Sequence, residues 1–247
     1  MNTSRKSAVI VGAMYIIGTI GGILSLVFTQ PARTAQDLLT YISANENQIV
    51  LGAISVLIMG LALAMVAVAA FPVLRKHNEL LALGYVVFRS GLEAVGYAAM
   101  AVSWLFLLPL SHVYQAGAPG SSNLEALGST LFKVSQVEFV LAIVFSLGAL
   151  MFYSVLYQSK LVPRWLSGVG LIVVVLSWAA NLLPMLGLVS PGLPILSYME
   201  MPLFLQEMVL AVWLIVKGFN PSAIAAGSAK QIKRSEPAQS WGSYPPA

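Results

Sequence analysis

Six apolar runs, each about as long as the 20 residues a helix needs to cross a bilayer, recur along this 247-residue chain. They fall near 8–28, 49–71, 80–108, 131–157, 166–188 and 195–217. No other feature restricts the fold so tightly, because a backbone immersed in lipid must satisfy its own hydrogen bonds, and a helix does so within one segment. Charged residues make up only 9% of the chain and hydrophobic ones 58%. A soluble domain carries roughly 25% charged residues, so this chain lacks the charge to cover a water-facing surface. The expected fold is all-α: a polytopic bundle of six transmembrane helices over residues 1–219, followed by a Ser-, Pro- and Lys/Arg-containing tail over 220–247. The first run follows Arg5 and Lys6 as a signal peptide would, but its core is too long for one, and it reads as a retained span.

Lysine and arginine set the expected orientation. With the N-terminus inside, Arg5, Lys6, Arg75, Lys76, Lys160, Arg164, Lys217, Lys230, Lys233 and Arg234 all lie on the cytoplasmic side. Only Arg33 and Lys133 lie at or near the outer side. That asymmetry obeys the positive-inside rule, and an even number of spans brings both termini to the cytoplasm. The net charge of +4 therefore follows topology and is no signal for nucleic acid.

Between the first two spans, Thr34 and Asp37 have the spacing of a capping box that opens a short surface helix with Leu38, Leu39 and Ile42 on one face. Ser122 and Glu125 have the same spacing ahead of the fourth span. Composition predicts disorder from Asn220 onward, and Trp241 and Tyr244 in that tail could dock a protein partner.

Inside the spans, ionisable residues are few and costly. A charge at mid-membrane costs about 2.5–3.5 kcal/mol on the gentlest scale. Arg89 and Glu93 lie four residues apart in the third span, so they share a helix face and can pair. At about 1.5 Å per residue, Arg89 lies roughly 13 Å and Glu93 roughly 20 Å from the cytoplasmic end. Glu207 lies about 15 Å in, Glu200 about 25 Å and Glu138 about 28 Å on the same scale. Two tiers follow: Arg89, Glu93 and Glu207 near the middle, Glu138 and Glu200 towards the outside. Gln136, Gln206, Asn181, Tyr97 and Ser135 could complete a polar centre or simply bond between helices. Carboxylates outnumber arginine, so at least one of Glu93, Glu138 and Glu207 is expected to carry a proton or to face water or a cation.

The remaining signals are weaker. Pro202 follows Glu200 by two positions and would free the Tyr198 carbonyl if it broke its helix. Gly18 and Gly22 have the GxxxG spacing of a close helix contact, within the bundle or between subunits of an oligomer. Trp165, Tyr153, Tyr157 and Trp104 read as interfacial belts. Three spans plus three would permit an inverted repeat with Glu93 and Glu207 in corresponding helices.

No enzyme motif stands out. There are no cysteines, which excludes disulfides, thiolate nucleophiles and cysteine-ligated clusters. His77 and His112 fall in loops on opposite sides. There is no phosphate loop, dinucleotide fingerprint or histidine metal motif, and no catalytic residue, metal or cofactor is expected, although a set of carboxylates could hold a hard cation.

Phe88, Arg89 and Glu93, then Phe152 and Tyr153 with the run from Leu156 to Ser167, then Glu207 with Trp213 through Asn220, form a recurring pattern. In these residues the chain resembles a bacterial family of integral membrane proteins known only as a domain of unknown function. The resemblance covers most of residues 8–220 and implies a six-span protein of a bacterial inner membrane, with no activity to carry over. Three readings stay open. They are a non-catalytic subunit or scaffold of a membrane complex, which is favoured; a small proton- or cation-coupled transporter or ligand receptor; and, last, an intramembrane enzyme.

Overall fold

The computed structural model describes residues 3–117, 120–132, 135–190 and 193–235; within these, the side chains of residues 121–122, 135–139 and 231–235 are not described. All regular structure among the described residues is helical. The helices are α1 (Thr3–Arg33), α2 (Leu38–Ala44), α3 (Glu46–Leu74), α4 (Glu79–Val86), a π-helical segment (Val87–Glu93), α5 (Ala94–Gln115), α6 (Ser121–Phe132), α7 (Ser135–Ser159), α8 (Arg164–Met185), α9 (Pro194–Val216) and α10 (Pro221–Ser235). Six stretches are long and apolar enough to span: α1, α3, the continuous run from α4 through α5, Val140–Ser159 of α7, α8 and α9.

Helix starts follow local chemistry. The Asn78 side chain caps α4 by accepting from Leu81 N at 3.1 Å. Pro194 occupies the first turn of α9, where its missing N–H costs nothing. Gly218, at φ +75°, makes the left-handed turn between α9 and α10 that a residue with a side chain rarely adopts. Pro202 does not break α9, which runs on through it.

Each span packs on the next in chain order, and α9 returns to α1, so the bundle closes as a ring. One large cluster fills its interior, including Tyr15, Tyr85, Phe152, Tyr153, Leu156 and Leu210. A second sits at one end, where α2 turns Leu38 and Ile42 inward onto a cluster that includes Trp104 and Phe132. Burying an aliphatic side chain of that size contributes about 1.5–3 kcal/mol. The outer wall is apolar: Val27, Leu61, Val102 and Ile172 are all exposed. Bare in water such a wall would drive aggregation, whereas lipid solvates it.

The glycines of α1 set its closest approaches. Gly18 and Gly22 face the side chains of Leu63 and Met59 within the same chain. The contacts that meet backbone are at Gly21, beside Ser55 O of α3, and at Gly12, beside Ala211 O of α9. Arg5 secures the same seam: Nη1 donates to Leu214 O at 3.2 Å and Nη2 to Ile215 O at 2.6 Å. These are carbonyls that the end of α9 leaves unpaired, and a cation there also opposes the helix dipole. Both ends of the described chain therefore lie at one face of the bundle.

Several expectations are corrected. Asp37, not Thr34, caps α2, accepting from Thr40 N at 3.0 Å; the Thr34 hydroxyl turns back to Gln30 O and Pro31 O. Glu125 caps α2 from α6, accepting from Leu38 N at 2.9 Å and Leu39 N at 3.1 Å, while the side chain of Ser122, its expected capping partner, lies outside the described residues. Tyr153 and Trp104 are buried rather than interfacial. The stretch from Pro221 to Ser235 is helical instead of disordered. Four alanines within Pro221–Lys230 favour helix, Asn220 O accepts from Ile224 N, and Asn220 N donates to Leu161 O at 2.8 Å. Residues 236–247, with Trp241 and Tyr244, lie outside the described residues.

α10 docks on the turn between α3 and α4. Lys76 Nζ donates to Ser228 Oγ at 3.3 Å, and the His77 ring lies against Gly227 with Nε2 buried and without a hydrogen-bond partner among the described residues. Burial, then the nearby Lys230 and Lys76, hold the His77 imidazole below its ordinary value of 6.5. The fold therefore prefers neutral His77, so its contribution to this docking is full above pH 6.5 and is lost as pH falls from there through the lowered value. Amide exchange in α10 is expected to quicken over that window, and His77→Gln to flatten the dependence. Equal pH profiles in the two proteins would refute this role.

Candidate functional site

The centre of the bundle is built on an interrupted helix. From Val87 to Glu93 the third span winds as a π-helix, a form that is rare and recurs at functional sites. Ser90 ties this turn to α3 by donating to Ala64 O at 2.7 Å. Arg89 and Glu93 both lie on the segment and point inward, 2% and 1% exposed.

One guanidinium serves two carboxylates. Arg89 Nη1 donates to both Glu93 oxygens at 3.0 Å, and Nη2 reaches Glu207 Oε1 on α9 at 3.5 Å. The second contact is longer, and Glu207 is also the more open of the two acids, at 16% exposure. Aromatic rings flank the cation: the Phe145 and Tyr15 centroids are 4.7 and 5.9 Å from the guanidinium carbon. Their faces attract the charge and exclude solvent. Tyr97 stands beside Glu93, and Tyr85 stacks on Phe152 at 4.6 Å. The Tyr85 hydroxyl and Arg89 Nε are buried with no partner in hydrogen-bond geometry among the described residues.

The remaining candidates divide. Gln206 accepts a short bond from the Tyr153 hydroxyl and donates to Leu166 O at 3.1 Å, so it links α7, α8 and α9 next to Glu207. Asn181 donates to Ser177 O at 2.9 Å and to Glu200 Oε1 at 2.7 Å, a separate α8–α9 link. Glu200 itself is exposed, which corrects its placement in a buried tier. The side chains of Glu138 and Gln136 lie outside the described residues. The central tier of Arg89, Glu93 and Glu207 is thus assembled as the depth count predicts. Tyr15, Tyr85 and Phe145 are the members that sequence reasoning missed, since an aromatic residue in an apolar run has no signature of its own.

The triad holds two acids and one base. With both acids ionised it carries one net negative charge, which a proton or a cationic group would neutralise. It offers no nucleophile activated by a base, and no group of three or more His, Asp or Glu side chains among the described residues is placed to hold a metal.

The profile of DUF4386, a domain of unknown function, matches residues 10–218. The chain belongs to this family. The matched region includes all three residues of the triad and stops short of α10, so the family's defining part is the six-helix bundle itself. This is a membrane protein by its six long apolar helices. No curated protein and no solved structure matches the chain.

Proposed function

We propose that the Arg89–Glu93–Glu207 triad is the titratable centre of a small proton- or cation-coupled carrier or ligand receptor. One observation carries the reading: a buried, aromatic-lined site where a single guanidinium faces two carboxylates from different helices. Ionised Glu207 is drawn to Arg89 and holds α9 against the π segment. Protonated, or paired with a cationic ligand, Glu207 releases Arg89 to Glu93 alone and frees α9 to move. Charge at membrane depth is costly enough to make such an exchange matter, and π-helical turns within a span recur at functional sites. By the positive-inside rule both termini face the cytoplasm, in keeping with a bacterial inner membrane.

The near-complete enclosure of Arg89 and Glu93 favours a second reading. In it the charges only clamp the bundle of a non-catalytic subunit, and the tail from residue 220 docks a partner.

A pH titration separates the two. With the full chain in lipid nanodiscs, infrared difference spectra are expected to show a carboxyl group that titrates in the wild type. It should vanish in Glu207→Gln and persist in Glu200→Gln. Because the chain has no cysteine, Phe145→Cys gives a single thiol beside Arg89 whose maleimide labelling should follow the same titration. If no buried carboxyl titrates and labelling is independent of pH, the coupled reading falls and the clamp stands.

A further inference from the structure

The face that carries both ends of the described chain holds a second site, independent of the triad. Two turns meet there, α7–α8 and α9–α10, joined by Asn220 N donating to Leu161 O at 2.8 Å and Asn220 Nδ2 to Lys160 O at 3.3 Å. Between them lies a cleft of about 540 Å³ whose walls include Lys160, Arg164, Lys217 and Trp213. Among the described residues, no carboxylate lines it. α8 begins at this cleft, so the positive end of its dipole adds to the three cations. Arg164 is steadied over the Tyr157 ring at 5.4 Å, and Trp165 meets Trp213 edge to face at 6.5 Å.

An apolar furrow of about 440 Å³ continues from the cleft down the outer face of α9. Val209, Val212 and Val216 line it, and Trp213 and Lys217 are common to both cavities. From Val209 to Lys217 the furrow follows about 12 Å of helix. Its valines are 47%, 54% and 62% exposed. A triply cationic pocket at the membrane surface, open at its base to a hydrocarbon-lined groove, matches a ligand with an anionic head and an acyl tail.

We propose that this composite site binds one anionic glycerophospholipid, its phosphate among Lys160, Arg164 and Lys217 and an acyl chain along Val209, Val212 and Val216. Basic pockets between spanning helices recognise anionic headgroups by this chemistry, and tryptophan suits the polar–apolar boundary where Trp213 sits. The lipid would brace the α7–α8 turn against the end of α9.

The test titrates the full chain, purified in a mild detergent, with dioleoyl phosphatidylglycerol and counts bound lipid by native mass spectrometry. One molecule is expected to saturate the site, at least about tenfold tighter than dioleoyl phosphatidylcholine. The double variant Arg164→Gln with Lys217→Gln should weaken phosphatidylglycerol roughly tenfold or more and abolish the preference. The pair Lys6→Gln with Arg75→Gln removes the same charge from residues that line neither cavity and should leave binding unchanged. Glycerol phosphate, a headgroup without chains, should compete poorly. Equal binding of the two lipids, or equal loss in both double variants, overturns the proposal. Displacement by glycerol phosphate as effective as by the lipid makes this a soluble-anion site and overturns it too.

Discussion

Arg89→Ala is expected to destabilise the bundle by about 3–5 kcal/mol, the usual cost of removing one partner from a buried ion pair. Two carboxylates would be left facing each other in a site that is 2% exposed at the arginine. The size of the loss reflects the stranded acids more than the lost attraction. Arg89→Leu combined with Glu93→Leu and Glu207→Gln should therefore recover much of it, because buried charges replaced together by neutral groups often leave stability unchanged or improved. Glu207→Gln should cost less than Arg89→Ala, since its contact is longer, 3.5 Å, and its side chain is more open. Unfolding in mixed detergent micelles measures all three. Equal losses for Arg89→Ala and Glu207→Gln would show that the triad is not centred on the guanidinium.

Gly12→Leu is the second large effect. A Cβ at Gly12 would lie 2.5 Å from Ala211 O, a backbone atom of α9 that cannot rotate away. Overpacking of this kind costs about 1–3 kcal/mol, and here it acts on the seam that closes the ring. Gly91→Ala is the control. A Cβ there meets nothing within 4 Å, and losing the glycine's freedom in the unfolded chain contributes about 0.4–1 kcal/mol in its favour. Thermal stability in detergent compares the two. If Gly12→Leu is tolerated as well as Gly91→Ala, α1 and α9 are not held at backbone contact.

Much of the architecture is legible in the sequence because lipid leaves the chain so few options. Hydropathy alone places all six spans, and a charge in an apolar run is conspicuous, so Arg89, Glu93 and Glu207 stand out. Depth counting brings Glu207 to the pair because helical rise is nearly constant. The same count cannot say which way a side chain faces, and so Glu200 turned out to be exposed beside Asn181 rather than buried. The π turn is also hidden, since it changes winding without changing hydropathy. Capping by Glu125 escaped because its acceptor oxygens serve amide groups 87 and 86 residues away, beyond any local motif. The α10 helix was missed because an alanine-rich stretch with Ser and Lys reads as low complexity by composition.

The bonds from Arg5 to the end of α9 have a consequence for how the protein is made. Arg5 leaves the ribosome well before its acceptors on α9, the first of which, Leu214 O, follows 209 residues later. At about 5–20 residues per second, the first span waits roughly 10–40 s before its partner has been synthesised. Throughout that interval α1 can settle on α3, which follows it directly, but its α9 face and its guanidinium remain open to the lipid and to the insertion machinery. Closing the ring thus waits for α9, and a chain truncated before it would leave the membrane holding an unfinished arc.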